Sequence, residues 1–326
     1  MDAKLFGRFV WDINVTEFKR NFKKIFSKIV LAVFGRKTII AVPYAWLIVF
    51  SLLPCIVLYK ISLSDPILAS PPYTDISAWN SMFSTLLVKL NFSNYIALFT
   101  DEIYIRSLLS SLGIAATSTF FCFIIGFPMA YAIARSDKKV RGILLTLVVL
   151  PFWTSFLIRV YACILLLSPA GIINNILIYF GIIAEPLRLI NSTGAACFGM
   201  VYTYLPFMIL PLYSAIEKID FSILEAAYDL GASPMRTLFS VTIPLTFPGI
   251  VAGSSLVFIP AIGEFVIPEL LGGAQTLTIG RVVWNEFFGN LSWPMASALA
   301  IFLLVFIVLP SILYRVLKGV NVVDKR

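Results

Sequence analysis

Long apolar stretches separated by short polar segments dominate the sequence. An α-helix needs about 20 mostly apolar residues to cross the roughly 30 Å hydrocarbon layer of a bilayer. Six stretches reach that length, at about 39–59, 107–134, 142–167, 194–216, 242–266 and 296–317. The pattern therefore predicts an all-α membrane protein with six transmembrane helices. A shorter amphipathic pattern, GIINNILIYFGII at 171–183, predicts a helix outside the spans.

The segment between the fourth and fifth apolar stretches has a distinct local pattern, DFSILEAAYDLGASPMRTLFSVTIPL. Ser222 and Glu225 have the spacing of a capping box at a helix start. Gly231 predicts a left-handed residue that ends this helix. Ser233 followed by Pro234 predicts the start of a second helix. One apolar face is expected on the first helix, formed by Ile223, Leu224, Ala227 and Leu230.

Composition supports a membrane location and excludes several kinds of site. Hydrophobic residues make up 60% of the chain and charged residues 13%, whereas a soluble domain keeps about a quarter of its residues charged. The chain has no histidine, which excludes histidine metal ligands and Ser-His-Asp triads. Its four cysteines stand singly in apolar runs, and no phosphate-binding glycine motif occurs. No cofactor is therefore expected on this chain, and nucleotide must bind to another one.

The net charge of +8 is unevenly distributed along the chain. With the amino terminus inside, the inner segments contain most of the lysines and arginines, whereas the outer loops contain eight acidic residues and five basic ones. The positive-inside rule then predicts that both termini face the cytoplasm. Topology explains the charge, and binding of nucleic acid is not needed to account for it.

The loop between the fourth and fifth stretches resembles the signature of permease subunits of ATP-binding-cassette (ABC) importers. That signature is EAA, three residues, Gly, nine residues and a hydrophobic-x-hydrophobic-Pro ending. The resemblance implies the type I ABC importer permease fold in a bacterial inner membrane. It also implies that the loop is a coupling helix that docks on an ATPase subunit, with the ATPase-coupling residues Glu225, Ala226, Ala227, Asp229, Gly231, Val241, Ile243 and Pro244.

Capping alone would account for Glu225 and Gly231, but it explains neither the small pair Ala226-Ala227 nor the spacing through Pro244. The family pattern usually has Ile and Leu before the proline, and Val241 and Ile243 keep that apolar character here. The loop is therefore interpreted as a docking element.

Three further stretches resemble polyamine importer permeases, most of all those for putrescine. They are PFWTSFLIRVYA (151–162), LPFMILPLYSAIEKID (205–220) and FIPAIGEFVIPELLGGAQTLTIGRVVWNEFF (258–288). The resemblance covers the chain from about residue 38 to the sixth span. It implies four partners besides membrane lipid: a second homologous permease, two ATPase subunits that bind ATP and Mg, and a periplasmic polyamine-binding protein.

The chain is accordingly divided into five parts. The segment 1–38 is basic, and its residues 9–34 form either an amphipathic helix on the inner leaflet or an ordinary charged flank. The other parts are the first transmembrane helix at 39–59, a periplasmic loop at 60–104, the importer core at 105–316 with five helices and the coupling loop at 217–241, and a cytoplasmic tail at 317–326.

Carboxylates and aromatic rings suit an organic diammonium cargo, through charge pairing and cation–π contact. The candidate substrate-path residues are Glu264, Glu269, Glu286, Trp284, Tyr161 and Tyr202. The alternatives are that these acids pair with Arg281 or Arg159, or bind the soluble receptor, and that the tyrosines only make helix contacts. For Arg159, inside the third span, a structural or gating pair is expected.

The leading hypothesis is one half of a heterodimeric ABC import channel, with no catalytic residues of its own. Spermidine or another ABC import substrate is the first alternative, and the acidic outer face argues against an anion. An ion-gradient-driven secondary transporter would need charged relay residues within the spans, of which the chain has few. A membrane-embedded enzyme would need a nucleophile–base pair or a metal cluster, and none is evident in the sequence.

Overall fold

The computed structural model describes residues 36–74, 77–80, 85–88 and 91–323. The predicted amino-terminal segment 1–38 lies outside the described residues up to residue 35, as do the last three residues of the predicted tail 317–326. The chain divides into two units, Met1–Tyr59 and Lys60–Arg326. Throughout, "inner" and "outer" denote the two sides of the membrane as the charge distribution predicts them.

The first unit contains the whole of the first predicted span, 39–59. Helix α1 (Arg36–Leu47), a π-helical turn (Ile48–Leu52) and α2 (Leu53–Ser62) form one continuous helix, whose last residues, from Lys60 to Ser62, belong to the second unit. The π turn lies just before Pro54, whose missing N–H interrupts the regular hydrogen-bond ladder. Apolar side chains from Ile40 to Tyr59 are exposed on all sides of this helix, as in a helix surrounded by lipid.

The second unit is mainly helical. Its described strands form a two-stranded antiparallel ribbon, β1 (Ser77–Asn80) and β2 (Thr85–Val88), with Ser77 opposite Val88. The helices are α3 (Ser93–Thr100), α4 (Glu102–Arg135), α5 (Lys138–Val149), α6 (Phe156–Leu167), α7 (Ile172–Tyr179), α8 (Thr193–Ile216), α9 (Phe221–Asp229), α10 (Pro234–Thr237), α11 (Ile243–Gly263), α12 (Val266–Leu271), α13 (Ile279–Trp284) and α14 (Trp293–Val323). The helix predicted at 171–183 is confirmed as α7.

Five described helical segments are long and apolar enough to cross a membrane. They are Ile40–Ser62, Glu102–Arg135, Phe156–Tyr179, Thr193–Ile216 and Pro234–Gly263. On α14 the described apolar stretch, Trp293–Leu309, is shorter than these five. The all-α class is confirmed, and the full set of six spans stays a prediction.

The prediction of one continuous helix over 142–167 is wrong. Helix α5 ends at Val149, a 3₁₀ turn follows at Leu150–Trp153, and the chain is extended at Thr154 before α6 begins. Pro151 has no N–H for a helical ladder, and its carbonyl accepts from both the amide and the hydroxyl of Thr154, the latter at 2.7 Å. These contacts stop the helix at a point where hydropathy alone shows no interruption.

Helices α4, α8 and α11 form the centre of the second unit and bury much of its core, including Met200, Met208, Ile209, Leu212 and Val257. The Gly249-xxx-Gly253 spacing places α11 tightly against α8. A Cβ on Gly253 would lie 2.9 Å from Sδ of Met208, and one on Gly249 would overlap the side chain of Ala215. Close helix approach, expected from this spacing, therefore occurs within the chain.

Candidate functional site

The inner loop between α8 and α11 begins with α9, and its start differs from the prediction. The carboxylate of Asp220 accepts the amide N–H of Ser222 at 3.1 Å, so that Asp220 caps the helix. The predicted capping box of Ser222 and Glu225 is wrong, because the helix is already capped two residues earlier. Glu225 is exposed and makes no hydrogen bond or ion pair with the described residues.

The end of α9 is the glycine turn that the sequence predicts. Gly231 has a φ of +79°, in the left-handed region that favours glycine. Its N–H donates to the carbonyl of Tyr228 at 2.8 Å, and the N–H of Ala232 donates to that of Ala227 at 3.0 Å. This pair of bonds is the Schellman motif, which fixes the direction in which the chain leaves the helix.

The second helix of the loop also starts as predicted. The hydroxyl of Ser233 accepts the N–H of Arg236 at 3.4 Å, and Pro234 is the first helical residue. Helix α10 continues through a π-helical turn (Leu238–Thr242) into α11. The loop is thus a short helix, a fixed glycine turn and a second helix joined without a break to a membrane span.

Only part of the apolar face predicted on α9 is buried against the rest of the chain. Leu224 is buried, whereas Ile223 is exposed and Leu230 is 88% exposed. Met235, on the next helix, is also exposed. Large apolar side chains on the inner surface of a rigid loop are typical of a protein interface.

The other residues predicted to contact an ATPase lie along the same loop and at its exit into α11. Ala226, Asp229 and Pro244 are exposed, whereas Ala227, Val241 and Ile243 are partly buried. The first three residues lie on the surface of the loop and its exit, and the others contribute to its packing.

At the outer end, Glu264 follows the last residue of α11. Its Oε2 accepts a 2.6 Å hydrogen bond from the hydroxyl of Tyr204 on α8, and its Oε1 accepts the N–H of Val266 at 2.9 Å. Tyr204 is buried and Glu264 is partly exposed. The carboxylate is therefore held in one orientation while part of it stays accessible.

A second carboxylate is held in a similar way. The hydroxyl of Tyr104, near the outer end of α4, donates to Oε1 of Glu286 at 3.2 Å. Glu286 lies in the π-helical turn Asn285–Gly289 and is partly exposed. The adjoining segment is joined to α4 by a 2.8 Å bond from the N–H of Ile279 to the hydroxyl of Ser111.

Stacked aromatic rings connect the two segments that carry these carboxylates. Phe265, next to Glu264, stacks on Trp284 with ring centroids 4.6 Å apart, and Trp284 lies two residues before Glu286. Trp284 also contacts Phe288 at 4.2 Å. Trp284 is partly open to the surroundings. The stack thus brings together the two segments that carry three of the six predicted path residues, Glu264, Trp284 and Glu286.

Glu269 belongs to a different local arrangement. Its Oε2 lies 2.5 Å from Nε of Arg281, whose Nη1 also donates to the carbonyl of Gly273 at 2.7 Å. Glu269 already has a counter-ion, which was the alternative that the sequence left open. Tyr161 and Tyr202 are about half exposed, and their hydroxyls bond to none of the described residues.

Arg159 is enclosed within the second unit, with 7% of its surface exposed. Its guanidinium lies 5.3 Å from the ring centroid of Phe152 and 5.9 Å from that of Phe156. Its Nε and Nη1 have no hydrogen-bond partner among the described residues, which also provide no carboxylate ion pair for it. The pair expected for Arg159 is therefore absent from the described part of the chain, and cation–π contacts take its place.

Tyr104 and Phe265 are residues of this outer arrangement that the sequence did not indicate. The Tyr104–Glu286 contact joins positions 182 residues apart. Nothing in the local pattern around Tyr104 distinguishes it from an ordinary interfacial tyrosine. Phe265 had one available signal, its position directly after Glu264 at the end of a span.

Known proteins resemble this chain in sequence and in fold. The family model for binding-protein-dependent transport system inner membrane components matches residues 122–319. The spermidine/putrescine transport system permease protein PotB of Haemophilus influenzae is 40% identical over 287 residues, which cover 88% of this chain and 95% of that protein. PotB of Escherichia coli (strain K12) is 43% identical over 229 residues, 70% of this chain and 83% of that one.

A solved structure adds information on the fold alone. A chain of a bacterial ABC transporter involved in the import of the acidic polysaccharide alginate superposes with a TM-score of 0.60 at 20% sequence identity. The similarity covers 91% of this chain and 98% of the other. The helical arrangement is therefore that of an ABC importer permease.

Proposed function

The chain belongs to the family of binding-protein-dependent transport system inner membrane components, and we propose that it carries a polyamine, with putrescine preferred, into the cytoplasm. It is a multi-pass inner-membrane permease and not an enzyme, and in this family ATP hydrolysis belongs to a separate subunit.

The arrangement of Glu264, Trp284 and Glu286 carries the proposal on cargo. Two partly exposed carboxylates are each fixed by a tyrosine hydroxyl, and a stacked aromatic pair joins the segments that carry them. A diammonium compound presents two cations joined by an apolar chain, so that carboxylates compensate its ends and ring faces contact its middle. An anion would find two negative groups here, which agrees with a cation as cargo.

The inner loop supports a proposal on how energy reaches this site. Glu225 on α9 and Leu230 just after it are exposed, and the Schellman turn at Gly231 directs the chain into α10 and then α11. Because α10 continues into α11, movement of the loop would move the helix that Glu264 directly follows. We propose that the loop docks on an ATPase subunit through these exposed residues.

The proposed assembly contains this chain, a second homologous permease, two ATPase subunits and a periplasmic polyamine-binding protein. ATP and Mg would bind to the ATPase subunits and no cofactor to this chain. The proposed topology has six transmembrane helices with both termini in the cytoplasm, as the positive-inside rule favours. Cargo would pass between the two permeases as the assembly alternates between outward- and inward-facing states.

The test is uptake of labelled putrescine by cells that lack their own polyamine importers and express this chain with its neighbouring reading frames. We expect uptake that stops when the ATPase lysine that contacts the nucleotide phosphates is replaced, and that continues when ion gradients are collapsed. Uptake that survives loss of ATP hydrolysis would identify a secondary transporter. Competition by unlabelled spermidine then separates the two polyamines, and stronger competition by spermidine than by putrescine would contradict the preference.

A further inference from the structure

The guanidinium of Arg141 joins the ends of two membrane helices at the inner surface. Its Nη2 donates to the carbonyls of Ala134 at 2.9 Å and Ser136 at 3.2 Å, at the end of α4. Its Nη1 lies 2.7 Å from Oε1 of Glu217, which follows the last residue of α8. Arg141 itself lies in the first turn of α5. One side chain thus connects α4, α5 and α8.

The local sequence explains why the guanidinium reaches this position. Helices α4 and α5 are separated by two residues, Ser136 and Asp137, so the first turn of α5 lies beside the last turn of α4. The last carbonyls of a helix have no partner within it, and they form the negative end of the helix dipole. A cation with five donors satisfies these carbonyls and a carboxylate at the same time.

Glu217 links this contact to the inner loop. Its backbone N–H still bonds to Tyr213 in the last turn of α8, at 2.8 Å. Three residues later, Asp220 caps α9, the first helix of the loop. The carboxylate of Glu217 therefore lies at the point where the membrane helix ends and the loop begins.

The contact is better shielded than an ordinary surface ion pair. The side chain of Arg141 is 21% exposed and that of Glu217 is 43% exposed, and Nε of Arg141 is fully buried. At the outer end, Arg106 and Glu102 form a pair within one helix whose side chains are 72% and 73% exposed. That second pair joins no separate elements, which makes it a suitable control.

We propose that Arg141 is a positioning residue that transmits movement of the inner loop to α4. This inference rests on the proposed function, because it names the contact through which movement of a docked loop reaches α4. Helix α4 is continuous from Tyr104 at the outer end to Ala134 at the inner end. A shift at Glu217 is passed through Arg141 to α4, and α4 contacts Glu286 through Tyr104. Loss of the guanidinium separates the loop from this helix without removing the docking surface.

The experiment uses the complete transporter in proteoliposomes and measures both cargo uptake and ATP hydrolysis. The variants are Arg141→Gln, Glu217→Gln and the double substitution, with Arg141→Lys as the conservative change and Arg106→Gln as the control. Cargo moved per ATP is expected to fall about tenfold in Arg141→Gln, which lies within the range by which residues on a coupling route alter coupling. Because the two residues act as a unit, the double variant should lose no more than Arg141→Gln alone.

Partial recovery in Arg141→Lys is expected, because an ammonium can reach Glu217 but does not reproduce the fork that also reaches the carbonyls of α4. Arg106→Gln should match the unsubstituted transporter. An unchanged ratio of cargo to ATP in Arg141→Gln, or a fall in uptake only in proportion to the amount of assembled transporter, would overturn the inference. If the unsubstituted transporter itself shows no ATP-driven uptake, the proposed function fails and this inference with it, so the two failures are distinguished.

Discussion

The hydroxyl of Tyr204 donates a 2.6 Å hydrogen bond to Oε2 of Glu264, and the two residues are 60 positions apart in the chain. The tyrosine comes from the middle of α8 and is buried, whereas the carboxylate follows the end of α11. A buried donor thus orients an accessible acceptor at the outer end of the bundle. Most of what is proposed for the cargo depends on this orientation.

Replacing Tyr204 with phenylalanine tests that dependence. A hydrogen bond to a charged group contributes about 1.5–3 kcal/mol, so its loss should raise the KM for diamine uptake roughly tenfold while the transporter still assembles. Initial rates of labelled putrescine uptake over a range of concentrations give this value. Tyr179→Phe, at an exposed tyrosine of α7, is the matched control. An unchanged KM in Tyr204→Phe would show that the cargo does not use the oriented carboxylate.

Removing one carboxylate at a time tests whether Glu264 and Glu286 each bind one ammonium group of the cargo. In the unsubstituted transporter, a diamine should compete for uptake better than a monoamine of the same length, because it contacts both Glu264 and Glu286. In Glu264→Gln and in Glu286→Gln this advantage should shrink about tenfold, since one charge-assisted contact is lost. The measurement is the ratio of the two inhibition constants. A ratio that stays the same in both variants would contradict recognition by two carboxylates.

Gly231→Asp and Glu225→Lys are expected to abolish uptake while the protein remains inserted in the membrane. Both changes alter the exposed surface of the inner loop, and the first also forces a side chain into a left-handed backbone conformation at a cost of about 1–2 kcal/mol. Gly181→Asp separates these effects, because Gly181 has a similar φ of +67° and equally open surroundings. It lies after α7, at the outer side, and the variant should keep its uptake. Normal uptake by Gly231→Asp and Glu225→Lys would exclude docking through this loop.

Arg159→Met is expected to leave the transporter as stable as before or more stable. A buried charge without an ion-pair partner carries a desolvation penalty, and exchange of buried ionic groups for apolar ones is often neutral or stabilising by about 1–4 kcal/mol. Thermal unfolding in detergent measures the change, with Arg106→Met at an exposed site as the control. A clear fall in the unfolding temperature of Arg159→Met alone would mean that Arg159 stabilises the folded transporter.

Gly253→Ala is expected to destabilise the packing of α11 on α8. The added methyl group would lie 2.9 Å from Sδ and 3.1 Å from the carbonyl oxygen of Met208, and overpacking of this kind costs about 1–3 kcal/mol. Gly113→Ala, on α4, introduces the same group where nothing lies within 4 Å, and it should unfold at the original temperature or slightly above. Equal unfolding temperatures for both variants would show that α11 can shift away from α8 with little loss of stability.

Local patterns were sufficient at two positions of the inner loop where one residue type sets the backbone conformation. The glycine turn at Gly231 and the start of α10 at Ser233 follow from preferences of single residues for single backbone conformations, and both are confirmed. The capping box failed for a related reason, because Asp220 was an equally good cap two residues earlier. The break near Pro151 was missed because hydropathy averages over many residues, whereas a helix is interrupted at one missing N–H.

Apolar length and charge bias by themselves determined that this chain is embedded in a membrane, and the inner-loop signature indicated an importer permease through its resemblance to that family. Apolar length and charge bias depend on the solvent around each segment, so both can be read along the chain. Only the tertiary structure decided which acids pair with which partners. Glu269 lies against Arg281, Glu264 against Tyr204 and Glu286 against Tyr104. A hydrogen bond requires two atoms within about 3 Å, and for residues as distant in the chain as Tyr104 and Glu286 helix packing brings them together.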